Sequence, residues 1–357
     1  MIGITTWVFL ALFASAAVLA VSMAGARLIL LVRDRRRRRR AESPRRRLIG
    51  LMADVDTVDQ ADALVALPDA AWGAIEPTAV TMLDQVRGEA HAALADVFLR
   101  RGLVSRAVAD LGARSVVRRA RAAELLGLLR RGEAVARLCR LLADRDPEVR
   151  LVAVRALGRI GDPDAATPLL DALTGPRPAP SHVVAHALVG LGSASASALL
   201  AALDHDDDLV RATALDALRL LGVPGAAEPV ARTLRNDPTL EVRRRAATTL
   251  GRIGRASAVA HLLAATAADQ PAALRAEAVR ALGELGAPTT VAELSAMLDD
   301  DAYAVAHEAA RALVRLGDAG LAALRDMAGR QRPGAAHAAE ALALVALMSA
   351  DTVGARS

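Results

Sequence analysis

The histidines are the first side chains whose type and spacing suggest chemistry. His182 and His186 lie four residues apart, the spacing at which two imidazoles on one helical face can bind zinc. The glutamate that acts as base in a His-Glu-x-x-His pattern is absent, and no third ligand lies nearby in the sequence. His182 also occupies a position that other copies of an internal repeat fill with Leu151, Ala212, Arg244 and His307. We therefore predict no metal site at this pair.

Two acidic runs and one cysteine are the other candidates for a chemical role. Residues 204–208 and 299–301 carry carboxylates suited to calcium, but neither run has the glycine and final glutamate of an EF-hand loop. Aspartates in a turn commonly cap the helix that follows, and we interpret both runs in this way. Cys139 falls on an apolar helical stripe, which is typical of a buried structural thiol. The sequence thus predicts no catalytic residue and no cofactor.

Composition narrows the range of functions further. Apolar residues make up 54% and charged residues 24% of the 357, which excludes a disordered chain. Aromatic residues make up 2%, and only Trp72, Phe98 and Tyr303 follow residue 26, so base-stacking recognition of nucleic acid is not expected. A single cysteine excludes an internal disulfide framework. We also expect no small-molecule substrate.

Positive charge is concentrated in one short segment. Residues 27–47 hold eleven arginines and two acidic residues, a net charge of +9, whereas the whole chain carries +5. The rest of the chain is therefore mildly acidic, which argues against a nucleic-acid-binding surface there. An arginine-block nucleic-acid binder remains an alternative function.

The residues before this segment predict a membrane anchor. Residues 2–26 contain no charged side chain. As a helix they would extend about 38 Å, more than the roughly 30 Å of a hydrocarbon core. The span would end near Arg27 or Arg33. No basic region precedes it, which favours an uncleaved anchor over a cleaved signal peptide. The positive-inside bias then predicts a single-pass protein with an external amino terminus and a cytoplasmic body.

The arginine run behind the anchor is expected to contact anionic lipid headgroups. Its members are Arg35, Arg36, Arg37, Arg38, Arg39 and Arg40.

The remainder of the chain is periodic, and each period predicts two helices. Glycines recur every 30 to 32 residues, at Gly161, Gly192, Gly222, Gly254, Gly286 and Gly317. Between them lie an apolar first helix, an Asp/Pro turn and a second helix with apolar residues at spacings of 3, 4 and 7. The glycine suits the left-handed position after a helix end. One helix pair cannot bury its apolar face alone, so consecutive pairs must stack.

The segments Asp146-Pro-Glu-Val-Arg150 and Ala153-x-x-Ala-Leu-Gly-x-Ile-Gly161 resemble the HEAT repeat, in particular the bacterial phycobilisome-lyase-like form. The resemblance is clear over residues 133–317 and extends to about 76–349. It implies an all-α fold, a right-handed α-solenoid of stacked antiparallel helix pairs with a concave face lined by the second helices. We expect one transmembrane helix before it.

In that family a turn aspartate and a helix arginine commonly bond to the next repeat and form a ladder. The matching positions in this chain are Asp146, Arg150, Asp207, Arg211, Arg243 and Arg275. The turns at residues 237–238 and 269–271 differ, and the ladder is expected to be interrupted there. An anion-binding arginine stripe is the alternative interpretation. Stacking is favoured because the arginines recur with the repeat period.

These interpretations divide the chain into an anchor (1–32), a juxtamembrane segment (33–47), a helical lead-in (48–75), the solenoid (76–349) and a tail (350–357). We predict a non-enzymatic scaffold or adaptor that docks a protein partner at the cytoplasmic membrane face. The resemblance suggests an accessory subunit of a membrane enzyme, such as a glycosyltransferase. Because HEAT-like repeats also occur in chromophore lyases and a DNA glycosylase family, an enzyme remains the other alternative.

Overall fold

The computed structural model describes residues 27, 46, 48–50, 57–254 and 256–354, and its regular elements there are helices without strands. The expected anchor over residues 1–32, apart from Arg27, lies outside the described residues, as does the run Arg35 to Arg40. Among the described helices, none is by itself both long and apolar enough to cross a bilayer. One consecutive pair, Ser181–Gly190 and Gly192–Asp204, meets those criteria jointly but is bent by 118°.

Nineteen α-helices are numbered here along the described chain. Their bounds are α1 Thr57–Val65, α2 Asp69–Gln85, α3 Gly88–Arg100, α4 Leu103–Asp110, α5 Val116–Leu128, α6 Val135–Leu141, α7 Pro147–Ile160, α8 Ala166–Asp171, α9 Ser181–Gly190, α10 Ala196–Ala201, α11 Asp208–Leu221, α12 Ala227–Asn236, α13 Leu240–Ile253, α14 Ala258–Ala264, α15 Ala272–Leu285, α16 Val291–Ala296, α17 Tyr303–Arg315, α18 Asp318–Ala328 and α19 Gly334–Gly354. Short 3₁₀ turns precede or follow many of the shorter helices.

The chain divides into two compact units, Met1–Ala109 and Asp110–Ser357. In the first unit α3 packs against both α1 and α2. Its core includes Trp72 and Phe98, whose rings meet edge to face at 5.2 Å. The predicted lead-in helix corresponds to α1, which ends at Val65. Pro68 lies between α1 and α2 and directly precedes α2.

Arg101 closes the carboxyl-terminal end of α1 within this first unit. Its Nη1 donates to the carbonyls of Leu64, Val65 and Leu67 at 3.2, 2.7 and 2.9 Å. The side chain is 7% exposed, and its guanidinium lies 4.8 Å from the centre of the Trp72 ring. A cation here satisfies carbonyls that have no partner within the helix and complements the negative end of its dipole.

In the second unit the helices alternate between two layers. The second helices of the repeats are α5, α7, α9, α11, α13, α15, α17 and α19, and each packs against the next. The first helices, from α6 to α18, each pack against the second helix that follows. This arrangement is the solenoid of stacked helix pairs predicted from the period.

The glycines that close each period confirm the helix ends predicted from the sequence. All six have positive φ, between 62° and 78°. Gly161, for example, follows α7 at φ 78° and its N–H donates to the Leu157 carbonyl at 3.1 Å. A left-handed residue at this place satisfies an otherwise free carbonyl and turns the chain. A side chain there would impose strain, since L-residues rarely adopt that conformation.

A second set of glycines, inside the second helices, sets the distance between layers. A Cβ built on Gly158 of α7 would lie 2.7 Å from the Cα of Ala187 in α9. Equivalent close pairs are Gly127 with Ala156, Gly251 with Ala281, and Gly283 with Ala312. The absent Cβ allows the backbones of consecutive second helices to come into direct contact, and the surrounding leucines fill the remaining space.

Candidate functional site

Ion pairs between successive repeats are the most regular polar feature of the second unit. Arg211 of α11 donates from Nε and Nη2 to both carboxylate oxygens of Asp237, at 2.7 and 3.0 Å. Its Nη1 also donates to the carbonyls of His205 and Asp206, at 2.8 and 2.9 Å. The two charged side chains are only 9% and 4% exposed. This pair ties α11 to the turn before α13, so the interruption of the ladder predicted at residues 237–238 is wrong.

Two further pairs repeat this geometry. Arg119 binds Asp144 at 2.8 Å through each of two nitrogens, and Arg275 binds Asp300 at 3.1 and 2.7 Å. In both cases the acid lies 25 residues after the arginine and accepts a main-chain N–H from its own turn. The bond therefore joins the second helix of one repeat to the turn of the next.

The environment of these carboxylates affects their pKa. Burial alone would raise the pKa of Asp144, but the hydrogen bonds from Arg119 and the Asp146 N–H, with the charges of Arg119 and Arg150, lower it below its ordinary value. At Asp300 burial is likewise outweighed by Arg275 and a turn N–H, and the pKa is lowered. Both groups are thus held in the charged form that the ladder requires.

The other ladder arginines have neutral partners. Arg243 donates to the side-chain oxygen of Gln270 and to the Leu234 carbonyl at 3.0 Å. Within the described residues Arg150 makes no salt bridge, and its Nη1 donates to the carbonyls of Asp144 and Arg145 at 3.0 and 3.3 Å. The repeat that follows Arg150 contains the proline-rich insertion, which places no acid at the corresponding turn position.

The structure places the two expected ladder aspartates elsewhere. Asp146 accepts from the N–H groups of Glu148 and Val149, and so caps α7. Asp207 caps α11 in the same way, through the N–H groups of Leu209 and Val210. The ladder acids, Asp144, Asp237 and Asp300, lie at or near two residues before the capping position. The turn at residues 144–146 thus uses Asp146 to cap its own helix and Asp144 to bind the preceding repeat.

A band of mixed charge runs across the exposed sides of four consecutive second helices. On α11 and α13, Asp216 forms an ion pair with Arg245, whose Nε also binds Glu241 at 3.1 Å. Glu241 additionally accepts from Arg244 at 2.9 Å. These side chains are about a quarter to a half exposed.

The same band continues over α15 and α17. Glu277 accepts from Thr248 of α13 and pairs with Arg280, which also reaches Thr248 at 3.3 Å and Glu284 at 3.3 Å. On α17, Arg311 pairs with Glu308 at 3.0 Å. We call these residues the second-helix strip. Its members are Asp216, Glu241, Arg244, Arg245, Thr248, Glu277, Arg280, Glu284, Glu308 and Arg311.

The strip suits a protein surface better than a polyanion. Acidic and basic side chains alternate along it and are paired with one another, so it offers no track of unopposed cations for phosphates. Partly exposed pairs of this kind contribute little stability of their own.

The histidine and cysteine candidates of the sequence are not drawn together. His182 and His186 lie exposed on α9. Cys139 lies on α6, where burial, aided by the charge of Asp162, raises the pKa of its thiol. Asp204 to Asp208 and Asp299 to Asp301 fall at turns, and Asp207 and Asp300 accept main-chain N–H groups there.

One cluster that the sequence did not predict joins α17 and α19. Within the described residues, His307, His337 and Glu340 bring one ligand atom each to within 4.8 Å of the others. Tyr303 covers both rings, stacked on His307 at 5.6 Å and edge-on to His337 at 5.1 Å. The two histidines are 30 residues apart in the sequence, which is one repeat length, and this spacing was the signal that could have predicted their proximity. Among the residues that the structure describes, these three could hold a metal.

Comparison with known proteins places the repeats in a family. The profile described as HEAT repeats matches residues 104–189, 196–275 and 259–343, about two thirds of the chain. The chain belongs to the HEAT-repeat family. No curated protein matches it significantly.

Solved HEAT-repeat structures resemble the chain at low sequence identity. A mutant of Kap121p has a TM-score of 0.51 at 12% identity, over 82% of this chain and 38% of that one. Human deoxyhypusine hydroxylase, in complex with glycerol, has a TM-score of 0.32 at 23% identity, over 72% of this chain and 96% of that one. The CpcE–CpcF complex of phycocyanin lyase from a Nostoc species has 0.30 at 21% identity, over 62% and 92%. The likeness to Kap121p shows a shared fold alone.

Proposed function

We propose that this chain is a non-catalytic HEAT-repeat scaffold that docks a protein partner on the second-helix strip, while an amino-terminal anchor holds it at the cytoplasmic membrane face. The observation that carries the docking role is the strip itself, a band of partly exposed, mutually paired charges on four stacked helices. Adjacent packed helices lie about 8–10 Å apart, so the strip extends over roughly 25–30 Å.

The chemistry of the strip defines the kind of partner. Alternating acids and bases require a surface with the complementary alternation, and this requirement supplies specificity and register more than raw affinity. A partner that presents carboxylates to Arg280 and Arg311, and guanidinium or ammonium groups to Glu241 and Glu284, fulfils it. Tethering to a membrane raises the effective concentration for a partner in the same membrane. We therefore assign a membrane or membrane-proximal protein as the partner.

The docking surface is tested by site-specific photo-crosslinking in cells that express the full-length chain. A cross-linking amino acid at Arg280 or Arg311 should give one adduct of defined mass. The same cross-linking amino acid placed at Arg232, which is exposed on α12, the first helix of its repeat, should give no adduct. Equal yield from Arg232, or no adduct from either strip position, overturns the docking surface.

The anchor is tested separately by fractionation. The full chain should remain with membranes in 1 M salt and at alkaline pH, because apolar insertion does not depend on ionic contacts. Deletion of residues 1–32 should release it at high salt, since arginine–lipid attraction is screened there. Release of the full chain by salt alone would mean that it is not anchored.

A further inference from the structure

We propose that His307, His337 and Glu340 form a binding site for a divalent transition-metal ion, with Zn²⁺ the best match, between α17 and α19. The site borders the second-helix strip, since Arg311 lines the same cavity, but the inference stands whether or not a partner docks on the strip.

The geometry of the three side chains supports the site. His337 and Glu340 are three residues apart on α19, so their side chains leave the same face of that helix. His307 faces them from α17, which packs against α19. The three ligand atoms lie within 4.8 Å of one another. Zinc–ligand bonds of about 2.0–2.2 Å place the ligand atoms roughly 3.4 Å from one another. Side-chain rotations that move the ligand atoms by roughly 1 Å would therefore close the site.

The ring of Tyr303 positions both imidazoles. It stacks on His307 with an angle of 14° between the ring planes and meets His337 at 61°. Neighbours that restrict ring orientation lower the entropy lost when an imidazole becomes a ligand, and such outer contacts commonly affect metal affinity 10–100-fold. Tyr303 supplies no proposed ligand atom, so it is a positioning residue.

The donor set selects the class of ion. Two imidazole nitrogens and one carboxylate suit zinc and other first-row transition metals, whereas calcium and magnesium prefer oxygen ligands alone. Three protein ligands leave at least one coordination position open to water.

The surrounding groove limits the affinity. The three ligands line a cavity of about 220 Å³ that also contains Arg311 and Arg315. The charge of Arg311 is balanced by Glu308 at 3.0 Å. Arg315 has no such carboxylate partner within the described residues, and its charge opposes a bound cation. We therefore expect Arg315→Gln to tighten metal binding by a few fold.

Calorimetric titration of the untagged, chelator-treated full-length chain with Zn²⁺ tests the site. We expect one equivalent to bind, with Mg²⁺ giving no heat. His337→Ala should weaken binding by at least about 100-fold, more than the loss of an outer contact. The matched control is the double variant His182→Ala/His186→Ala, which removes the other histidine pair and should leave the titration unchanged. Binding that survives His337→Ala but disappears in the control would overturn the proposal.

A second measurement separates ligation from packing, since His337 is half-buried. Glu340 is exposed, so Glu340→Gln keeps shape and fold while it removes a ligand charge. Co²⁺ in the wild-type chain should give the visible absorption bands of a low-symmetry site with nitrogen ligands. Those bands should shift or vanish in Glu340→Gln and weaken in Tyr303→Ala, with circular dichroism unchanged. Identical spectra in all three proteins would exclude the assigned ligands.

Discussion

Replacement of Asp237 by asparagine tests whether the inter-repeat ion pairs hold the solenoid together. Asp237 receives two hydrogen bonds from Arg211 and one from the Thr239 N–H at 2.9 Å. Arg211 holds its charge firmly there, because the hydrogen bond to Asp237 raises the pKa of the guanidinium. Asparagine keeps the size of the side chain and an acceptor for Thr239. It removes the negative charge and turns an N–H group towards the arginine.

The expected cost follows from the burial of the pair. Removing one partner of a buried ion pair costs about 3–5 kcal/mol, because the remaining charge is left without compensation. Arg211 keeps the carbonyls of His205 and Asp206 as acceptors, which places the loss near the lower end, at about 3 kcal/mol. For a unit of this size, each kcal/mol lowers Tm by about 2–4 °C. The expected decrease in Tm is therefore roughly 6–12 °C.

Thermal unfolding followed by circular dichroism measures this decrease. Because repeat arrays open locally, hydrogen exchange should also show faster exchange concentrated in α11 to α13. The matched control is Asp326→Asn, which breaks the exposed Arg330 pair of α18 and should lower Tm by no more than about 2 °C. A Tm for Asp237→Asn within error of the control would refute the stabilising role of the ladder.

Two more predictions concern packing and pH. Gly158→Ala should cost about 1–3 kcal/mol in unfolding free energy, because the new Cβ meets the Ala187 backbone. Gly73→Ala, with no atom within 4 Å of its new Cβ, should be neutral or slightly stabilising in urea unfolding. The lowered pKa values of Asp144 and Asp300 contribute stability above the unfolded pKa near 4, and that stability is lost as pH falls through the folded pKa. The urea concentration at the unfolding midpoint should therefore decrease as the pH is lowered below about 4. The decrease should be less steep in the double variant Asp144→Asn/Asp300→Asn than in the wild type. The same pH dependence in the wild type and in the double variant would contradict the lowered pKa values of Asp144 and Asp300.

The repeat architecture was predictable from the sequence because its causes are local. A glycine every 30 to 32 residues marks a left-handed helix end, and the spacings of 3, 4 and 7 mark the buried face. The histidine cluster was not predictable in the same way. His337 and Glu340 show a three-residue spacing, but their partner His307 lies one repeat earlier, and only the packing of α17 on α19 joins them. The glycines inside the second helices gave no sequence signal for the alanine that each one contacts.

The position of the ladder acids shows why a turn motif was insufficient. In the turn at residues 144–146 both ends are aspartate, and either satisfies the sequence pattern. In the structure their roles differ. Asp144, two residues before the cap, binds Arg119 of the preceding second helix, whereas Asp146 caps α7.

At one turn, that of Asp207, both members of the ladder pair are replaced together. His205 stands two residues before the cap Asp207 and accepts the Asp207 N–H at 3.0 Å, as Asp144 accepts that of Asp146. The preceding second helix carries Ser181 near the ladder position, where other repeats carry arginine. A missing carboxylate thus coincides with a missing guanidinium, which avoids a buried charge without a counter-ion. His205→Asp should therefore give no increase in Tm unless Ser181→Arg is added.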